Sequence, residues 1–149
     1  MPTQQFSGLD QDPVFRAVLA KRMVYPRMAI GAKVFTKTSL FTHFKIDSAG
    51  HIQDIRTLNP SETDYGFEKT INQALRKLPP LKPVYEGNYI LPVRFSFLYS
   101  KGVVEQDTML HRTLDYGALQ LLKALYPGQT ILKEQLVETY GSPAYRPRK

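Results

Sequence analysis

The stretch that decides the fold is "NYILPVRFSFLY", Asn88 to Tyr99. Tyr89, Leu91, Val93, Phe95, Phe97 and Tyr99 recur at every second position, the pattern of a β-strand with one face in a core. Pro92 interrupts that pattern, because proline has no N–H to give to a sheet ladder. A strand this apolar belongs inside a sheet, whereas a strand with an internal proline belongs at an edge or a bulge. Successive strand residues direct their N–H and C=O groups to alternate sides, so Pro92 removes a donor from one side only. The strand is therefore expected to be lateral, with a complete ladder on one side and a blunted edge on the other.

Working outward, "SLFTHFKID" (Ser39 to Asp47) puts Leu40, Thr42, Phe44 and Ile46 on one strand face and Phe41, His43 and Lys45 on the other. Ser48-Ala49-Gly50 reads as a hairpin turn, and "HIQDIRTL" returns as a second strand. Ile52 and Ile55 fall out of alternation there, which predicts a bulge. "NPSETDYG" is a loop. Upstream, Asp12-Pro13 is a helix start, with Asp as N-cap and Pro at the first helical position. Phe15, Val18, Leu19 and Met23 then form an amphipathic stripe ending near Tyr25-Pro26, and a shorter helical piece runs to Ile30 before Gly31. "FEKTINQALRKL" spaces Phe67, Ile71, Leu75 and Leu78 along another helix, which Pro79-Pro80 ends.

The order is thus helix, strand, strand, helix, strand. It predicts an α+β fold, a small three-stranded antiparallel sheet packed against two helices at Phe15 and Phe67. Beyond Tyr99 the expectation is a helical extension. Leu114, Ala118, Leu121, Leu122 and Leu125 share one helical face, Pro127-Gly128 breaks the chain, and Thr130 caps a last helix through Leu132, Leu136 and Tyr140. The division expected is a disordered segment 1–11, a domain over 12–99, the extension 100–141 and a basic disordered tail 142–149.

With 149 residues, 42% of them hydrophobic, the chain suits one packed domain. No run of about 18 apolar residues spans a bilayer, and "MPTQQFSGLDQD" lacks the basic and apolar regions of a secretory signal. Absence of cysteine excludes disulfides and thiolate metal sites. The net charge of +7 raises nucleic acid or an anionic surface as a partner. The cations are scattered, and Arg146, Arg148 and Lys149 sit together in the tail, so a solvated basic surface is the stronger reading and no nucleic acid is expected.

The residues offer no catalytic site. His43, His51 and His111 lack the spacing of metal ligands; His43 and His51, like Asp47 and Asp54, flank one hairpin and read as its surface. Gly31, Gly50, Gly66 and Gly87 are isolated, so no glycine-rich phosphate loop exists, and no activated-serine signature is present. No enzyme activity, cofactor or metal is expected. What remains is a strand edge. Pro92 there either guards against aggregation or leaves a docking edge to which an extended peptide adds as a fourth strand.

These residues resemble the C-terminal domain of TonB, especially the versions in Bacteroidetes energy transducers. The resemblance rests on Tyr25-Pro26 with Ala29, on "FKIDSAGHI" (Phe44 to Ile52), on "QALRKLPPLKPVYEG" (Gln73 to Gly87) and on "LPVRFSF" (Leu91 to Phe97). It spans roughly residues 12–99 and keeps the order of elements read above. The fifty residues after Tyr99 have no counterpart in the short family domain.

The resemblance implies a non-catalytic periplasmic interaction domain. In the family, that domain grips the TonB box of an outer-membrane receptor by β-strand addition beside the last strand. It thereby transmits energy for transport from an inner-membrane motor, reached through an N-terminal anchor that this sequence does not show. Carried over, the peptide-binding residues are Tyr25, Pro26, Ile90, Leu91, Pro92, Val93, Arg94, Phe95, Ser96 and Phe97. Two alternatives stand beside this one. In the first, the TonB-like domain is a structural or adaptor module whose edge is covered by its own C-terminal helices or by a homodimer partner. In the second, it is a small basic α+β domain binding nucleic acid. A cytoplasmic location stays open.

Overall fold

The computed structural model describes residues 8–31, 38–60, 65–99 and 116–141. Strand β1 (Thr38–Ile46) pairs antiparallel with β2 (Ile52–Thr57) on one side and with β3 (Gly87–Tyr99) on the other. The β1–β3 register sets Leu40 opposite Val93, Thr42 opposite Leu91 and Phe44 opposite Tyr89, so both alternating sets share one face. That face is buried almost without remainder, as the period-two pattern requires. Between β1 and β2, Gly50 turns the chain at φ 90°, and its carbonyl accepts the Leu81 N–H at 2.9 Å. The register slips between His43 and Lys45, and Asp54 stands at φ 55°, so the bulge anticipated from Ile52 and Ile55 is present.

The helices cover the apolar face. Asp12 accepts the Val14 and Phe15 N–H groups at 2.9 and 3.0 Å and caps α2 (Pro13–Arg22), with Pro13 at the first helical position. The short α3 (Arg27–Gly31) follows, and α4 (Phe67–Arg76) lies beside α2. Gly66 opens α4 at φ 98°, and a Cβ there would stand 2.9 Å from the Pro26 side chain. Aromatic rings join the layers: Phe15 meets Phe44 at 6.3 Å, Phe44 stacks on Tyr89 at 5.4 Å, and Phe67 meets Phe95 at 4.8 Å. Each such fully buried ring contributes about 1.5–3 kcal/mol. Packing at Phe15 and Phe67 is thus as anticipated.

Three expectations are corrected. The sheet has five strands, not three, and it is mixed: its order is β2-β1-β3-β4, with β5 also on β3. The C-terminal extension supplies the additional strands. After α5 (Tyr116–Leu125) come β4 (Thr130–Ile131) and β5 (Gln135–Gly141), both parallel to β3, where the apolar spacing predicted a last helix. Leu132 and Val137 go into the core while Leu136 is exposed, so the helical stripe through Leu132, Leu136 and Tyr140 is not used. An available sheet edge supplies main-chain partners along a whole strand, and Val137, Thr139 and Tyr140 suit a strand. At the other end, Gly8–Gln11 form a short helix, α1, with Leu9 fully buried, where disorder was expected. Residues 1–7, 100–115 and the basic tail 142–149 lie outside the described residues.

Candidate functional site: the far side of strand β3

Main-chain bonding on β1 shows which way each residue of β3 faces. Phe41 accepts from the Leu58 N–H at 2.8 Å and donates its own N–H to Asn59 Oδ1 at 2.8 Å. Both its main-chain groups therefore point to the β2 side, so Phe41 and its partner Pro92 form a non-hydrogen-bonded pair. It follows that Val93 and Leu91 bond to β1, whereas Ile90, Pro92, Arg94 and Ser96 direct their main-chain groups away from it. The missing donor of Pro92 faces the side where β4 and β5 lie.

That side is occupied, so the expectation of a lateral β3 is corrected: it has partners on both sides. Tyr89 pairs with Thr130 and Ile90 with Ile131, and the Leu132 N–H reaches the Ile90 carbonyl at 2.9 Å. Pairing resumes with Val93 opposite Gln135 and continues to Tyr99 opposite Gly141. Between these two runs the register slips by one residue, beside Pro92. A regular ladder would need an N–H from Pro92, and the chain instead leaves the sheet at Leu132, Lys133 and Glu134. The Lys133 N–H turns to the Asp10 carboxylate, 3.2 Å from each oxygen. Glu134 meets the Arg94 guanidinium at 3.2 Å, with side chains only 8% and 14% exposed. Leu132 and Val137 are both in the main core.

The predicted site residues fall as follows. Leu91, Val93 and Phe95 face the core, and Ile90, Pro92 and Ser96 are also buried; Arg94 is half-buried. Phe97 lies in β3 opposite Thr139. Tyr25 and Pro26 are buried, and the Tyr25 ring stands edge-on to Phe67 at 5.5 Å and to Phe95 at 6.2 Å. Tyr25 also lines a groove of about 440 Å³ together with Met23, Val24 and the run Gln135 to Thr139. The two parts of the predicted site, Tyr25 and the outer side of β3, thus converge on the same strand, β5. Sequence reasoning missed Asp10, Leu132, Glu134 and Val137. For Glu134 the available signal was Arg94, a charged residue inside an otherwise apolar strand, whose partial burial calls for an acidic partner.

The titratable groups that depart from ordinary behaviour serve the framework. Burial tends to raise the Asp12 carboxyl, but hydrogen bonds from the Phe15 N–H, the Tyr85 hydroxyl and the Val14 N–H, with the Lys82 charge, lower it on balance. Burial raises the Tyr85 hydroxyl, and its bond to Asp12 adds to that. Burial likewise raises Tyr89, with Tyr85 and Asp10 contributing; its hydroxyl donates to the Tyr85 carbonyl at 2.6 Å. His43 is 3% exposed, with Nδ1 3.0 Å from the Asp54 carbonyl, while His51 stands on the turn beside Asp47. Among the described residues, no three His, Asp or Glu side chains converge to hold a metal ion. The arrangement at β3 offers main-chain pairing and a part-buried ion pair.

Compared with known proteins, the chain matches no family model, no curated protein and no solved structure. Among the described residues no helix is long and apolar enough to cross a membrane.

Proposed function

We propose that this chain is a non-catalytic protein-interaction domain of TonB C-terminal type, whose strand-addition edge on β3 is closed by its own residues 130–141. The observation that carries this reading is the parallel pairing of β5 with Val93 to Tyr99, alongside Tyr25. A segment from the far end of the chain takes the place that the resemblance assigns to a receptor peptide. In this reading an extended TonB-box-like peptide of an outer-membrane receptor exchanges with the chain's own strand, in the periplasm, and the domain carries force to the receptor. A second reading is favoured by the burial of Leu132 and Val137 and by the part-buried Arg94–Glu134 pair. In it the edge is permanently covered, and the domain is a structural or adaptor module.

Amide NMR separates the two. Receptor N-terminal peptides are titrated into the full chain and into the full chain carrying Val137→Asp, which unseats β5. Exchange predicts shifts in Ile90 to Phe97 and near Tyr25, with roughly micromolar affinity in the loosened chain, because ordering a flexible peptide offsets much of the contact energy. No shift in either chain at millimolar peptide leaves the adaptor reading. Filter binding at two salt concentrations tests the nucleic-acid alternative, which requires a steep salt dependence.

A further inference from the structure

We infer that the far side of β3 selects an extended ligand running parallel to it with the pattern apolar–x–Glu–x–x–aliphatic, and that Arg94 is the residue that reads the acid. The inference rests on the strand-addition reading and takes residues 132–137 as the bound example of the ligand. Main-chain pairing gives affinity without sequence information, so selectivity must come from side chains that land in defined places. There are three such places. Leu132 is 3% exposed and Val137 5%, both in the main core, and the Glu134 side chain is 8% exposed against Arg94. The residues between them are less constrained: Lys133 and Leu136 are exposed and Gln135 half-buried.

The spacing of these three follows from Pro92. A strand continuing in the register of Ile90 with Ile131 would put Leu136, not Val137, beside Phe95. The slip at Pro92 instead sets Val137 beside Phe95 and leaves Glu134 in the gap, where it turns to Arg94. Proline and arginine therefore act together, one setting the register and the other the charge. A glutamine at the acid position loses the charge-assisted part of the bond, and a lysine brings two cations together in a part-buried place.

The test uses a fluorescent peptide with the sequence of residues 129–141, followed by anisotropy on the full chain carrying Val137→Asp. Loosening is needed because a tethered strand competes at millimolar effective concentration. The expected result is binding at least tenfold weaker when the peptide carries Glu134→Gln, the lower end for a hydrogen bond to a charged group. Glu134→Lys should abolish binding, and Arg94→Glu in the chain should restore it. If all three peptides bind alike, the proposed pattern is overturned while strand addition survives. If none binds, both are overturned. A second measurement uses the natural chain without loosening. There Glu134→Gln should speed hydrogen exchange at the Val137 and Thr139 amides at least tenfold relative to Ile71, and unchanged exchange overturns the role of Arg94.

Discussion

Val93→Pro tests the orientation on which the site depends. Leu40 and Val93 are paired in the β1–β3 register and are 2% and 0% exposed. Because Phe41 spends both main-chain groups on the β2 side, Leu40 and Val93 are a hydrogen-bonded pair, with the Val93 N–H donating to β1. Proline at 93 removes that donor and leaves the Leu40 carbonyl buried without it, at about 1–3 kcal/mol. The pyrrolidine ring also crowds a ladder that is complete on this side, so the total is about 3 kcal/mol. For a chain of this size that is a fall in melting temperature of about 6–12 °C. The assay is thermal unfolding followed by circular dichroism, with urea unfolding to check that cooperativity is kept. If instead Val93 faced the gap beside Leu132 to Glu134, no ladder bond would be lost. A melting temperature within about 2 °C of the natural chain would therefore refute the orientation assigned to Pro92.

Further expectations follow from the same geometry. Val137→Ala should cost about 2 kcal/mol in urea unfolding, from two buried carbons and the space they leave. Gly50→Ala should cost about 3 kcal/mol or more, because φ is 90° and the new Cβ would stand 2.0 Å from the Leu81 carbonyl oxygen. Asp12→Ala should cost about 1 kcal/mol at pH 7 through the lost helix cap. Since the folded Asp12 carboxyl titrates below its ordinary 3.8, the charged group's contribution is present above that pH and fades as acid reaches the folded value. Urea titrations at pH 7 and pH 3 should accordingly show a smaller gap between Asp12→Ala and the natural chain at the lower pH.

Much of the first hundred residues was legible because its signals are local. The Asp12-Pro13 cap, the bulge announced by Ile52 and Ile55, and the shared face of Leu40 to Ile46 and Tyr89 to Phe95 all reappear in three dimensions. Each rests on a period or a turn that a short window contains. Residues 130–140 were misread because Leu132, Leu136 and Tyr140 fit a helical period, while Val137 and Thr139 fit a strand equally well. Periodicity within that window cannot choose between them. The choice came from an unfilled edge some forty residues earlier in the chain, and no local pattern encodes an edge.

By itself, then, the sequence determined the α+β class, the faces of β1 and β3, and that Pro92 withholds one donor from one side of β3. Only the tertiary structure decided which side that is and what lies there. A proline states which bond cannot form, but its partner depends on how distant segments meet. Here the chain's own C-terminal strand meets that side, slips by one residue where the donor is missing, and holds the slip with Glu134 on Arg94.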